Sequence, residues 1–165
     1  RPPVIWLSAQ ECTGCTESLL RSTHPSLEQL ILNAISLDYH ETLNVGAGHQ
    51  AEAFKKESMK KNHGKYVLVV DGSIPTKDGG IYCKVANRTI LEHLKETAAG
   101  AAAIIAIGSC ASWGGVPSIG PNPTGAKGVG DATMHAVVTS CICILITNYF
   151  LASVLFRVIF YRGPA

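Results

Sequence analysis

Acidic side chains run out at Asp131. All 12 Asp and Glu residues lie at or before it, and from Ala132 onward only Arg157 and Arg162 carry charge. The chain has no excess of one sign. Its 14 Lys and Arg leave a net charge of +2, which gives no electrostatic footprint for nucleic acid. Six cysteines in 165 residues are too few for a disulfide scaffold and more than a core usually needs. The chain opens on Arg1 with no basic n-region, apolar h-region or cleavage site, so its compartment is not legible directly. No paired carboxylates, Ser–His–Asp arrangement or phosphate loop is evident. Asp78-Gly79-Gly80 lacks the remainder of any nucleotide fingerprint. No internal repeat is present. The length suffices for one domain with a real core.

What is present is an alternation of apolar runs and helical patterns. Val4–Leu7 reads as a first strand and Ile35–Tyr39 as a second. Tyr66–Val70 and Ala102–Ile107 are continuous apolar runs, which mark strands buried on both faces. Between them, Thr16–Ser22 reads as a short helix, and Pro25-Ser26 opens another through a Ser26/Gln29 capping box. Gln50–Lys61 reads as a polar helix with a lysine-rich solvent side. Asn87 is placed to cap a helix through Ala98, which Gly100 stops. Residues 114–130 hold six glycines and three prolines and read as loop. Strands alternating with helices predict an α/β fold: an open parallel sheet with helices on both faces. The loops 9–15, 71–83 and 108–117 all follow strands. They are expected on one edge of the sheet, where ligands of open α/β sheets bind.

Three thiols arrive at that edge. Cys12 and Cys15 follow the first strand as Cys12-Thr13-Gly14-Cys15, and Cys110 follows the run Ala103–Ile107. Thiolates in such a group suit a soft metal or an iron–sulfur cluster. On spacing alone, a zinc knuckle or a redox dithiol stays open, and zinc would accept Cys12, Cys15, Cys110 and one further Cys or His. Cys83 reads as a loop or core thiol, and Cys141 and Cys143 as apolar filler. His24, His40, His49, His63, His93 and His135 show no metal-ligand spacing, and most read as surface or capping residues. Trp113 is expected to pack over the Cys110 loop. Asp71, at a strand end, either meets a partner or caps the next turn. Residues 136–156 carry no charge and match the length of a membrane span, roughly 20 residues, though Thr139, Ser140, Thr147, Asn148 and Ser153 interrupt the stretch.

Five segments then occur together and in order: Glu11-Cys12-Thr13-Gly14-Cys15-Thr16-Glu17, Leu37-Asp38-Tyr39-His40-Glu41-Thr42, Asp71-Gly72-Ser73-Ile74-Pro75, Gly108-Ser109-Cys110-Ala111-Ser112-Trp113-Gly114-Gly115 and Gly120-Pro121-Asn122-Pro123-Thr124-Gly125-Ala126. Over about residues 1–131 the chain closely resembles the small, electron-transfer subunit of nickel–iron hydrogenases. The resemblance implies a flavodoxin-like domain that binds a nickel–iron large subunit and passes electrons from it to an acceptor such as a cytochrome. It implies that Cys12, Cys15 and Cys110 ligate the proximal 4Fe-4S cluster, and that the protein is periplasmic or membrane-associated. Oxygen-tolerant members carry extra cysteines beside this cluster. The matching positions here are Gly14 and Gly115, which implies the ordinary four-cysteine type.

After Asp131 the family pattern stops. The family carries its fourth ligand in a Gly-Cys-Pro-Pro loop. Cys143 falls at the ungapped position, but Cys141-Ile142 and Ile144-Leu145 flank it, without glycine or proline. The ligands of the family's medial and distal clusters have no counterpart. Residues 132–165 therefore read as a divergent apolar tail, with a shifted reading frame favoured over a membrane segment or a divergent last strand.

Overall fold

The computed structural model describes residues 1–131, 146–147 and 149–151. The chain divides into two compact units, Arg1–Ala132 and Thr133–Ala165. Of the second, Ile146, Thr147 and Tyr149–Leu151 are helical, and the Tyr149 and Phe150 rings meet edge-on at 6.3 Å. Among the described residues no helix is long and apolar enough to cross a membrane. Cys141, Cys143, His135 and most of the uncharged stretch lie outside the described residues.

The first unit runs β1 (Pro3–Ser8), α1 (Gly14–Leu20), α2 (Leu27–Gln29), a π-turn (Leu30–Ala34), β2 (Ser36–His40), α3 (Gly48–Lys61), β3 (Val67–Asp71), β4 (Ile74–Pro75), β5 (Lys84–Val85), β6 (Arg88–Thr89), α4 (Ile90–Ala98), β7 (Ala103–Ile107), α5 (Gly108–Trp113) and β8 (Ala126–Lys127). Strands β2, β1, β3 and β7 form one parallel sheet in that order. This is the doubly wound order of flavodoxin-like sheets. Alternate residues of β1 face opposite sides. Ile5 and Leu7 join Leu68 and Val70 in a core completed by Ile90 and Leu94 of α4. Val4 and Trp6 join Val69 in a second core, flanked by Leu19 of α1. Helices thus cover both faces, as the alternation predicts.

Four expectations need correction. Strand β7 forms, but it is not buried: Ile104 and Ile105 are 41% and 47% exposed. Among the described strands it is hydrogen-bonded to β3 alone, so it is an edge of the described sheet. An apolar run encodes a strand but not its position in the sheet. Asn87 does not cap α4. It sits at φ 64° beside Ala86 at φ 48° in the turn joining β5 to β6. Thr89 is the cap, with Glu92 completing the capping box at 3.2 and 2.9 Å. The Ser26/Gln29 box is present, yet the helix it starts gives way to the π-turn after three residues.

The fourth concerns α3. Most of its lysines face solvent, but Lys55 is only 2% exposed. Its ammonium pairs with Glu52 at 2.7 Å, donates to His93 Nδ1 at 3.1 Å and lies over the Tyr39 ring. His93 Nε2–H in turn donates to the Val85 carbonyl at 3.0 Å. This buried network binds α3, α4, β2 and the β5–β6 hairpin. Burial is tolerated because each charge and donor has a partner.

Candidate metal centre

The C-terminal ends of β1, β3 and β7 bring the three predicted loops to one edge. Residues 9–10 and 71–73 are joined by backbone hydrogen bonds: Ala9 N–H to Asp71 O at 2.7 Å, Ser73 N–H to Gln10 O at 2.9 Å and Gln10 N–H to Ser73 O at 3.1 Å. The Gln10 side-chain carbonyl also accepts from Thr124 Oγ1 at 3.3 Å, which draws in the 120–126 loop. Cys12 is exposed, while Cys15 in the first turn of α1 and Cys110 in α5 are partly buried.

The backbone has made room for these sulfurs. Gly108 opens α5 at φ 78°, and a Cβ there would run into Cys15 Sγ. At Gly115, φ 56°, a Cβ would stand 2.6 Å from Cys110 Sγ. Side chains at these two positions would fill the space around the thiols. A cavity of about 680 Å³ adjoins, lined among others by Gln10, Glu11, Cys12, Cys110, Val116 and Thr124. The thiol donors and the glycine cradle fit a thiolate-held group. Among the described residues no three His, Cys, Asp or Glu side chains close to the spacing of a single metal ion.

Burial raises the acids of this edge. Burial, then the neighbouring Asp71 carboxylate, then Cys12 and Cys110 push the Cys15 thiol up to about 11. Its sulfur faces the Ile107 carbonyl at 3.9 Å. Asp71 is 1% exposed, and burial raises its carboxyl, against the opposing pull of Cys15 and the Gly72 N–H. Glu11 is raised too, by burial and then by Asp71. Asp71 Oδ2 and Glu11 Oε2 are buried without a hydrogen-bond partner. The Asp71 carboxylate is buried beside the Cys15 thiol. Metal binding at Cys15 must displace a proton, as thiolate ligation does generally.

Other residues depart from expectation. Trp113, expected to pack over the Cys110 loop, is 57% exposed, and Val116 and Ile119, which line the cavity with Cys12 and Cys110, are 79% and 63% exposed. The short α5 turns the indole outward, so the thiol edge has an apolar rim. Cys83 is the half-buried thiol expected, its titration raised by burial. His40 and His93 are fully buried, not surface or capping residues. Residue spacing carried no sign of this. The only signal for His40 was its place at the end of a strand.

The family model described as the NADH ubiquinone oxidoreductase 20 kDa subunit matches residues 12–146. The match runs past Asp131 and includes Cys143. The hydrogenase-2 small chain of Escherichia coli (strain K12) is 64% identical over 126 residues, 76% of this chain and 34% of that one. The periplasmic NiFe hydrogenase small subunit 1 of Nitratidesulfovibrio vulgaris is 49% identical over 140 residues, 85% of this chain and 44% of that one. A crystal structure of the reduced, active Ni-Fe-Se hydrogenase from Desulfomicrobium baculatum superposes with a TM-score of 0.80 at 37% identity, covering 82% of this chain and 52% of that one. The chain thus spans about a third of the length of the first of these relatives.

Proposed function

This chain belongs to the family of the NADH ubiquinone oxidoreductase 20 kDa subunit, and on that premise we propose that it is the proximal-cluster part of a nickel–iron hydrogenase small subunit. The observation that carries this reading is the glycine-cradled edge where Cys12, Cys15 and Cys110 meet, on a chain whose relatives are hydrogenase small chains. Cys12, Cys15 and Cys110 would hold the group, with Cys143 as the fourth ligand by family position. A 4Fe-4S cluster held there would supply one-electron transfer. The chain's own part is to hold the thiolates, to exclude side chains from the space around them and to dock the partner. Trp113, Val116 and Ile119 form the exposed apolar rim such a partner would cover. Hydrogen activation is assigned to the large subunit. Electrons would leave to an acceptor such as a cytochrome, in the periplasm or at the membrane.

The family description also admits a second reading, a single-cluster subunit of another oxidoreductase complex. Both readings require iron at Cys15. Replacing Cys15 with Ala should remove most iron from anaerobically purified protein, measured by metal analysis and visible absorption. Undiminished iron would overturn the assignment. Co-purification with a nickel-containing subunit supports the hydrogenase; a nickel-free oxidoreductase partner supports the second reading. Hydrogen oxidation by the isolated chain would refute the division of labour.

A further inference from the structure

His40 ends β2 with its ring fully buried against Trp6, centroids 4.9 Å apart. The Thr42 backbone N–H reaches His40 Nδ1 at 3.3 Å. A backbone N–H can only donate, so Nδ1 carries the lone pair. The neutral ring then bears its hydrogen on Nε2, which points at Thr16 Oγ1, 3.4 Å away. Thr16 is 2% exposed and directly follows Cys15. Apart from the long Cys15 Sγ contact with the Ile107 carbonyl at 3.9 Å, bonds such as Glu17 N–H to Thr13 O at 2.9 Å and Ser18 Oγ–H to Gly14 O at 2.8 Å run within the turn.

We propose that His40 is a positioning residue that ties the Cys12–Cys15 turn to the sheet, by accepting from Thr42 and donating to Thr16. The proposal rests on the metal reading above for its consequence and on geometry alone for the tether. The sequence Thr42 N–H to Nδ1, Nε2–H to Thr16 Oγ1 spans β2 to α1, so the ligand turn inherits its place from a strand rather than from its own seven-residue helix. Desolvation keeps the imidazole neutral, its protonation lowered to about 4, so this tautomer persists at neutral pH.

Three variants of the full chain separate the two ends of the tether. His40→Asn places an amide oxygen where Nδ1 accepts but cannot reach Thr16. His40→Gln can still reach Thr16. Thr16→Val keeps the shape and removes the hydroxyl. In His40→Asn and Thr16→Val, amide hydrogen exchange at residues 13–18 should quicken about fivefold, the equivalent of one ordinary hydrogen bond. Iron loss to a chelator should quicken alike. His40→Gln should stay near the parent on both readouts, and adding His40→Asn to Thr16→Val should change neither further, because both remove the same bond. Unchanged exchange in Thr16→Val, or additive effects in the double variant, would overturn the proposal. Should His40→Asn fail to fold, Thr16→Val alone decides. A parent chain that binds no iron defeats the metal reading, while exchange at residues 13–18 still tests the tether.

Discussion

Gly108 adopts a left-handed φ of 78°, and any Cβ on it would meet Cys15 Sγ. Gly108→Ala should therefore cost about 1–3 kcal/mol, from backbone strain and the displaced thiol together. It should also reduce bound iron, and denaturant unfolding with metal analysis checks both. His40 makes a second prediction at this scale. Unfolded histidine takes a proton near pH 6.5, whereas folded His40 resists until about 4. Between those values the unfolded chain binds a proton that the folded chain lacks, so His40 withdraws stability as pH falls, by about 3 kcal/mol in all. Glu11, Glu41 and Asp71 are raised by burial and act in the opposite sense, because the folded state gains their protons first. Comparing the parent with His40→Gln across pH 7 to 4 isolates the histidine. The parent's advantage should shrink as pH falls; a difference that does not change with pH would contradict the burial argument.

Helix α4 owes its start to Thr89, whose hydroxyl accepts the Glu92 N–H at 3.2 Å while the Glu92 carboxylate accepts the Thr89 N–H at 2.9 Å. Thr89→Ala should lower stability by about 1 kcal/mol and leave iron content unchanged, since the cap stands on an element that supplies no thiol. Thermal unfolding and metal analysis together test that separation. The cap also shows where sequence reading reached its limit. Asn87 and Thr89 are both good capping residues two positions apart. The hairpin turn holds Asn87 at φ 64°, a conformation asparagine tolerates, and leaves Thr89 extended at φ −70° and ψ 147° to cap. The Ser26/Gln29 box was legible because serine and glutamine stand at the spacing that its two reciprocal bonds require. Strands β1, β2 and β3 were legible within a residue or two from apolar pattern alone. The exposure of β7 was not, because it depends on which strands neighbour it.

As a whole molecule, the chain brings three of its four described thiols to the proposed site, where a 4Fe-4S cluster would take four. Cys143 is the proposed fourth, within the span the family model matches, but its sequence neighbours Ile142, Ile144 and Leu145 resist the tight turn that Gly and Pro make. The parent chain should bind substoichiometric iron, and the triple variant Ile142→Gly, Ile144→Pro, Leu145→Pro should bind a full complement. Equal iron in both, lost on Cys143→Ala, would show that the native tail already supplies the ligand.

The sequence by itself determined the alternation of strands and helices, hence the parallel sheet. It also determined that Cys12, Cys15 and Cys110 follow strands, hence their shared edge. Both are local consequences, one of hydrophobic periodicity and one of where each apolar run stops. Only the tertiary structure decided that His40 and His93 are buried, that Lys55 lies in the interior with Glu52 and that Asp71 presses on Cys15. It likewise turned Trp113 to the surface. Each of these depends on residues far away in sequence arriving at the same place. A side chain's charge state and exposure follow from that company, and periodicity within one segment carries no record of it.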